Sequence, residues 1–496
     1  MKTLRICTSV LIAIFVIAIS GCAQNPDSSA QTTPSPTQSA SAQNQEQSSS
    51  YLRPRGELKN SIKQGETYNY LLWAINDPSE PFEHETEINK AGWTERKATL
   101  ESNYGIKINY VMPTVNWWQD ACASAYAGNP SVDFMHCGGP FTVLPMYAYN
   151  GSPASVVLPL SDYTEYADFS DDNWWNQEIQ EINTTFNGKL YFAVPQSIGI
   201  ARVGFNQIVL FNKEILERNG YSAETLYQWN QNGEWTWEKF REVAIACTDA
   251  DNSIYGIAPA YQNALIWSLA ASNGGAFITQ VENNGASYFE FTGNSNEMLE
   301  AWDFLVQLGR DGVLYRDQGY TADAETFLAG KTAMMTTYAN RISELVNAGN
   351  YPEYGVIMPP KAPGAENYVS DVNWFDPYCA FKGTSNPEGT VQLLSDYCCP
   401  LYSLEDERNQ AAFEAELLSL TSDQGSQWTL NNIAAKSSPQ SYFMFSNLTF
   451  PDGTNFMNKV TEQWTTFVDG QQTPANYFDS IADSVNSLLQ EAQGLK

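Results

Sequence analysis

Strand-like and helix-like patterns alternate through the first part of the globular chain. Residues 68–75 form a short apolar run that is typical of a buried strand, and residues 85–103 carry apolar side chains at helical spacing. The same order then repeats, with strands at 105–113 and 132–135 and a helix at 117–127 between them. This alternation predicts an α/β lobe built on a largely parallel sheet.

The loops that follow the predicted strands are where a ligand would bind. In open α/β sheets, ligands occupy the crevice beyond the carboxyl ends of the strands. The loops at 76–77, 114–118 and 136–141 fall at that edge. We therefore expect them to lie near any binding site.

A second α/β region runs from about residue 201 to residue 371. It has its own strand-like segments at 209–211 and 354–358. Since the whole chain has 496 residues, it is long enough for two such lobes.

The N-terminus has the pattern of an export signal. Lys2 and Arg5 precede an apolar run at 6–20, and the run ends in Ile-Ser-Gly-Cys22, which resembles a bacterial lipobox. This predicts that residues 1–21 are a signal peptide and that Cys22 carries the lipid anchor, palmitate included. The alternative is an ordinary signal peptide with a chance cysteine.

A polar tether follows Cys22. Residues 22–65 begin with a long stretch of Ser, Gln, Thr, Ala, Asn and Pro that holds too few apolar side chains to fold, so we expect it to be disordered. Such a tether would hold the globular part off the membrane. We expect a protein anchored to the cell membrane by lipid, facing the extracellular side or the periplasm.

Charge and cysteine content exclude several classes of function. The formal charge is −30, and it becomes −32 once Lys2 and Arg5 leave with the leader, which argues against nucleic acid as a partner. The sequence has only two histidines and no Cys-x-x-Cys spacing, so we expect no metal site and no cofactor. A Cys122–Cys137 disulfide stays open. We expect a monomer.

Six short segments occur in the order and spacing that one protein family shares. They are GKLYFAVP at 188–195, LFNKEIL with NGY at 210–221, WTWEKF at 235–240, DAD with YG at 249–256, FLAGKTAM at 327–334 and YGVIMP at 354–359. Together they resemble the family 1 extracellular solute-binding proteins, which include maltose and other oligosaccharide receptors. The chain departs from the family pattern at Phe211, where Tyr is usual, and at Gly233-Glu234, where a Pro is usual.

This resemblance implies a two-lobed α/β fold of the periplasmic-binding-protein type II class, with hinge crossovers and a helical C-terminal region. It implies that lobe 1 spans 66–199 plus about 373–415 and that lobe 2 spans 200–372. Residues 416–496 would form C-terminal helices that pack on the lobes. The solute would be enclosed between the lobes and passed to the permease subunits of an ABC importer.

Aromatic residues near the predicted loops suggest a sugar as the solute. Sugar rings pack their C–H faces on aromatic planes, and their hydroxyls need directed polar partners. Position beside strand ends and crossovers, together with the resemblance, selects a set of candidate ligand-binding residues: Asn76, Trp117, Trp118, Gly138, Trp267, Asn273, Tyr338, Asn340, Trp374, Phe375, Asp376 and Tyr378.

The sequence also bears on four other functions. The Gly-Lys-Thr at 330–332 lacks the first glycine of a phosphate-binding loop, since Glu325 stands there. The chain has no Gly-x-Ser-x-Gly motif, and we expect no catalysis. A lipid-anchored glycosidase stays an alternative because it needs only two carboxylates, and so does a solute sensor without transport.

Overall fold

The computed structural model covers the globular chain beyond the tether. The predicted leader, Cys22, most of the tether and His84 lie outside the described residues. Those residues are 51–73, 75–82, 87–259, 264–283, 286–316, 322–349, 351–446 and 448–495.

Strands and helices alternate along the described chain. The strands are β1 (Thr67–Leu72), β2 (Lys107–Val111), β3 (Phe134–His136), β4 (Thr185–Phe186), β5 (Lys189–Leu190), β6 (Gln207–Asn212), β7 (Tyr255–Pro259), β8 (Ile278–Asn283), β9 (Ala286–Phe291), β10 (Thr332–Tyr338), β11 (Tyr354–Ile357), β12 (Ser370–Val372), β13 (Tyr378–Ala380) and β14 (Ser437–Pro439). The helices are α1 (Glu87–Tyr104), α2 (Trp117–Tyr126), α3 (Val143–Tyr147), α4 (Gln177–Ile179), α5 (Ala201–Gly204), α6 (Lys213–Arg218), α7 (Ala223–Gln231), α8 (Trp237–Ala246), α9 (Ala264–Ser272), α10 (Asn296–Arg310), α11 (Ala322–Leu328), α12 (Arg341–Ala348), α13 (Pro387–Cys398), α14 (Glu407–Leu420), α15 (Gln424–Asn432), α16 (Phe456–Thr461), α17 (Trp464–Val468) and α18 (Pro474–Ala492), with a π-helical turn at Gln180–Thr184 and short 3-10 turns elsewhere.

The first sheet has the strand order β13-β3-β1-β2. β1 pairs in parallel with β2 and β3, and β13 joins β3 in the antiparallel sense. Successive side chains of a strand point to opposite faces, so Tyr70 packs into one apolar cluster and Leu71 into the other. Both faces of this sheet are therefore covered. β1 ends at Leu72, earlier than the predicted 75, and Trp73 begins the following loop.

The second sheet has the order β11-β6-β10-β7. β10 is parallel to β7 and antiparallel to β6, which is antiparallel to β11. Every residue of β6 and β10 is buried, as expected for central strands with both faces covered. The two sheets with their helices form the two-lobed α/β fold, so the predicted fold class is confirmed.

Two of the family segments have a clear structural purpose. In WTWEKF, the side chain of Thr236 accepts a hydrogen bond from the Lys239 backbone N–H and so caps the start of α8. In FLAGKTAM, Gly330 adopts a φ of +66°, which turns the chain from α11 into β10. These residue types recur because they set the ends of helices.

The chain crosses between the sheets twice, and the two crossovers lie side by side. Ala193 bridges Tyr378, and Asn206 bridges Val372, each pair in the antiparallel sense. β14 from the C-terminal region pairs in parallel with β12 and adds a third strand at this place. The predicted lobe boundaries at 199/200 and 372/373 fall beside these bridges and stay predictions.

The C-terminal region is helical, and it packs mainly against the second lobe. α15 lies against β11, and α18 lies against β9 and α10. The far end of α18 also reaches the first lobe, where a Cβ on Gly494 would lie 2.6 Å from Pro153. Within the described ranges, no helix is long and apolar enough to cross a membrane.

Candidate functional site

The turn after β3 lets tryptophan rings approach the backbone closely. Gly138 and Gly139 have φ angles of +69° and +142°, a region that favours glycine. A Cβ on Gly138 would lie 2.9 Å from the ring of Trp73 and 3.0 Å from that of Trp117. A Cβ on Gly139 would lie 2.7 Å from the ring of Trp374. The two glycines therefore allow three tryptophans to meet around one turn.

A row of aromatic rings extends from this turn across the first sheet. The rings of Trp73 and Trp117 are 6.2 Å apart, and Trp73 meets His136 edge-on at 6.4 Å. His136 stacks on Tyr378 at 4.7 Å. Trp73, Trp117 and Tyr378 are only partly buried, so part of each ring remains accessible. We call Trp73, Trp117, His136, Tyr378 and Trp374 the aromatic site.

Trp374 connects the two lobes. Its ring lies 6.0 Å from Phe141 of the first lobe and 6.2 Å from Phe205, which directly precedes the second sheet. It is 9% exposed, and it follows β12 in the returning crossover. Its position near a hinge between the lobes stays a prediction.

A buried polar network lies directly before Trp374 in the returning crossover. The side-chain amide of Asn373 donates to the hydroxyl of Tyr338 at 2.5 Å and to Asp371 Oδ2 at 3.3 Å. Gln207 Nε2 donates to the same Asp371 oxygen at 3.1 Å. Because all four side chains are buried, these hydrogen bonds fix the crossover to the end of the second sheet.

Asp376 lies on the other side of Trp374. Its Oδ1 is 3.5 Å from His136 Nε2, and its side chain is 45% exposed. A carboxylate is thus held beside the stacked His136 and Tyr378 rings, where it can accept hydrogen bonds from a ligand.

The remaining predicted residues fall into two groups. Trp118 is half-buried beside Trp117 on α2, Asn76 is exposed in the loop after β1, and Phe375 is buried. Asn340 is exposed, and its backbone N–H donates to the Gly204 carbonyl in the first crossover at 2.8 Å. Trp118, Asn76 and Phe375 lie on the same elements or loops as Trp117, Trp73 and Trp374. Asn340 lies between β10 and α12 of the second lobe. The role of all four in binding stays a prediction.

The side chains of Trp267 and Asn273, in the second lobe, contact other residues of the protein. Trp267 is 4% exposed and belongs to the main apolar core on α9. The Asn273 amide donates to the Glu297 carbonyl and to Glu300 Oε2, both at 2.9 Å, and so holds the start of α10. α9 itself packs against β12, and a role of Trp267 and Asn273 in binding stays a prediction.

The sequence pattern did not single out Trp73 or Phe205. It placed the 136–141 loop near the site, but it did not select His136, Gly139 or Phe141 as ligand-binding residues. The glycine pair directly after a strand was a usable signal, because such pairs mark close approaches to the backbone. Trp73 closes the apolar run of β1 and reads as a core residue. No sequence pattern around Phe205 marks it as a site residue. Its contact with Trp374 forms only where the chain returns in the second crossover.

The cysteines behave as small apolar side chains. Cys122, Cys137, Cys247, Cys379, Cys398 and Cys399 are free and buried. The nearest sulfur to Cys137 is that of Cys379, with the Sγ atoms 3.6 Å apart, and not that of Cys122. Burial raises the pKa of the Cys122 and Cys379 thiols, so they stay protonated. Over the described ranges, no cluster of His, Cys, Asp and Glu could hold a metal ion.

An open recess of about 750 Å³ lies elsewhere on the first lobe. It is lined by residues 53–59 and by residues between 164 and 171, and it contains none of the predicted site residues. Arg53 fills part of it and pairs with Asp168 and Asp171 at 3.6 and 3.5 Å. These ion pairs hold the segment that follows the tether against the first lobe. We therefore place the functional site at the aromatic site and not at this recess.

Comparison with solved structures shows what this fold is similar to. A cyclo/maltodextrin-binding protein complexed with maltotetraose aligns with a TM-score of 0.58 at 16% identity, over 89% of this chain and 100% of that one. The cyclic alpha-maltosyl-1,6-maltose binding protein from Arthrobacter globiformis gives 0.58 at 14% identity, over 86% and 99%. The sugar-binding protein MalE from Xanthomonas citri gives 0.56 at 14%, over 86% and 98%. At these identities the likeness shows the fold.

Comparison with families and with curated sequences gives two further findings. No curated protein is similar enough in sequence to match. The sequence model of the bacterial extracellular solute-binding proteins matches residues 95–413, well over half of the chain. That range includes the aromatic site except for Trp73, both crossovers and all six family segments. On this evidence, the chain belongs to the bacterial extracellular solute-binding protein family.

Proposed function

We propose that this chain binds an oligosaccharide between its two lobes and delivers it to the permease of an ABC importer. The observation that carries the proposal is the position of Trp374, between Phe141 of one lobe and Phe205 of the other. A ligand that packs beside this ring would lie where the two lobes meet. Such a ligand favours the closed form, because it gains contacts there that the open form lacks.

The chemistry of the aromatic site suits a sugar. The partly exposed rings offer planes for the C–H faces of sugar rings, while the Asp376 carboxylate offers an acceptor for hydroxyls. Three of the similar solved structures are named for maltodextrin, maltosyl-maltose or sugar binding, which supports the same class of solute. The family and these relatives bind ligands and are not enzymes, so we infer that this chain releases its solute unchanged.

The anchor follows from the N-terminal sequence. We propose that Cys22 is lipidated after residues 1–21 are removed, and that the tether leaves the globular part free to turn toward the permease. A single acyl chain holds a protein on a membrane only weakly, whereas the lipid of a lipoprotein carries more than one. Cys22→Ala should therefore move the protein from the membrane fraction to the medium. Fractionation of the bacterial cells that export the protein checks this. An unchanged distribution of the protein between the membrane fraction and the medium would contradict it.

A thermal-shift screen over mono- and oligosaccharides tests the proposed solute. A ligand at a hundred times its dissociation constant adds roughly 2.7 kcal/mol to the free energy of unfolding, which raises the melting temperature measurably. We expect at least one oligosaccharide to do so. Product analysis after long incubation distinguishes binding from hydrolysis, since sustained turnover would support the glycosidase alternative.

Gly138→Ala should weaken binding of the sugar that the screen identifies. The new methyl group would force the Trp73 and Trp117 rings away from the turn, and a loss of about 1.4 kcal/mol corresponds to tenfold lower affinity. Gly128→Ala is the matched control, because Gly128 also has a positive φ, of +79°, but no atom near its Cβ position. Both variants carry the backbone strain, and only Gly138→Ala should lose affinity by calorimetric titration.

A further inference from the structure

The first sheet holds the ring of His136 in place within the aromatic site. His136 is the last residue of β3, and its register partners are Leu72 of β1 on one side and Tyr378 of β13 on the other. Its ring stacks on that of Tyr378 with 16° between the planes, and it meets Trp73 edge-on. Because the side chain is 12% exposed and packs against these two rings, its ring nitrogens have little freedom to move.

Both nitrogens of the His136 ring are buried, and within the part of the chain that the structure describes neither has a hydrogen-bond partner. An imidazole carries at least one N–H group, whether it is neutral or protonated. A buried donor that lacks an acceptor destabilises the protein. The ring is therefore a donor that gains free energy from an acceptor that comes closer.

The Asp376 carboxylate is an acceptor within reach of this ring. Its Oδ1 atom is 3.5 Å from Nε2 of His136, a distance at which the two groups form an ion pair but no hydrogen bond. A decrease of about 0.5 Å would bring the two atoms to hydrogen-bond distance. The carboxylate lies between β12 and β13, and its side chain is 45% exposed. The pair thus joins a buried donor to an acceptor that faces outward.

We propose that His136 is a positioning residue, which donates a hydrogen bond from Nε2 to Asp376 and so holds the carboxylate toward a hydroxyl of the bound sugar. This inference rests on the proposed function and adds how the site recognises a hydroxyl. When a sugar covers Asp376, the carboxylate loses water, and a hydrogen bond to a charged group is stronger in such a dry site. Because its ring nitrogens are buried, His136 acts through Asp376.

Two substitutions of His136 separate this role from ring packing. His136→Phe keeps an aromatic ring against Tyr378 and removes the donor, whereas His136→Gln loses the ring and keeps an N–H donor. The probes are maltotetraose and every sugar that stabilises the protein in the thermal-shift screen, titrated by calorimetry. We expect about tenfold weaker binding for His136→Phe and a smaller loss for His136→Gln, since a hydrogen bond to a charged group is worth about this factor. The opposite order would assign His136 to ring packing and overturn the inference.

A double-mutant cycle tests whether His136 acts through Asp376. Asp376→Ala should itself weaken binding, and His136→Phe should then cost less than about twofold further, because the group that it positions is gone. Each variant is titrated well below the melting temperature of its empty form, so that unfolding does not enter the comparison. An equal loss from His136→Phe in both backgrounds, or normal binding by Asp376→Ala, would contradict the inference and leave the proposed function standing.

Nuclear magnetic resonance follows the imidazole directly. The sequence has two histidines, His84 and His136, so protein labelled with nitrogen-15 in histidine gives two sets of ring signals, and His136→Gln identifies the set of His136. The sugar should shift the Nε2 signal of His136 in the parent protein but not in Asp376→Ala. A signal that does not respond in the parent protein, or that responds equally in Asp376→Ala, would overturn the inference. If neither maltotetraose nor any sugar of the screen binds, the proposed function fails and this inference with it.

Discussion

Trp374→Ala should lower the affinity for the bound sugar at least thirtyfold. The ring lies between Phe141 of the first lobe and Phe205 of the second, so its loss removes a stacking plane and one set of contacts between the lobes. Loss of an aromatic anchor in a desolvated pocket costs about 2 kcal/mol or more, which corresponds to this factor. Calorimetric titration well below the melting temperature of the empty variant measures it.

A core tryptophan provides the control for this prediction. Trp302 is fully buried on α10, among Phe277, Phe467 and Phe478. Trp302→Phe should lower the melting temperature of the empty protein and leave the sugar affinity of the folded protein unchanged. Trp374→Phe, which keeps an aromatic plane, should recover part of the lost affinity. Normal binding by Trp374→Ala would remove Trp374 from the site.

Arg96→Met should lower the free energy of unfolding by about 3–5 kcal/mol, because several buried carbonyls lose their donor at about 1–3 kcal/mol each. The Arg96 side chain is fully buried on α1, and its guanidinium donates to the backbone carbonyls of Tyr51, Tyr397, Cys399 and Pro400. It thereby holds the chain that emerges from the tether against the end of α13. Methionine fills a similar volume but leaves these carbonyls without their donor.

Urea denaturation followed by fluorescence measures this change. Lys59→Met is the matched control, because Lys59 pairs with Glu165 at 2.7 Å while both side chains are 62% exposed. An exposed pair of this kind is worth less than about 1 kcal/mol. If the two variants unfold at the same urea concentration, the guanidinium of Arg96 does not hold the N-terminal segment in place.

Local sequence determined the elements and the family of this protein. The predicted strands and helices of the first lobe appear within a few residues of their expected bounds, as α2 does at Trp117–Tyr126. Helix caps such as Thr236 and turn glycines such as Gly330 act on their immediate neighbours. Because a few consecutive residues suffice for these effects, the sequence pattern carries them fully, and the family resemblance rests on the same segments.

The side chains around the binding site were only partly predictable. Position after a strand led to Trp117 and Gly138, and the returning crossover led to Trp374, Asp376 and Tyr378, which the structure brings together. Tryptophan looks the same in sequence whether it faces a ligand or a core, so Trp267 was selected and Trp73 was not. An asparagine likewise gives no sign of whether its amide is already bonded within the protein, as that of Asn273 is to the Glu297 carbonyl.

The sequence by itself thus determined the two α/β lobes, the family and the loops from which a site is built, since each depends on residues that are neighbours along the chain. Only the tertiary structure decided that Trp374 meets Gly139 and Phe205, that β14 pairs with β12 at the crossovers, and that Asp376 lies beside His136. Those contacts join residues that are distant in sequence. The packing of the whole chain fixes these contacts, and no local sequence pattern predicts them.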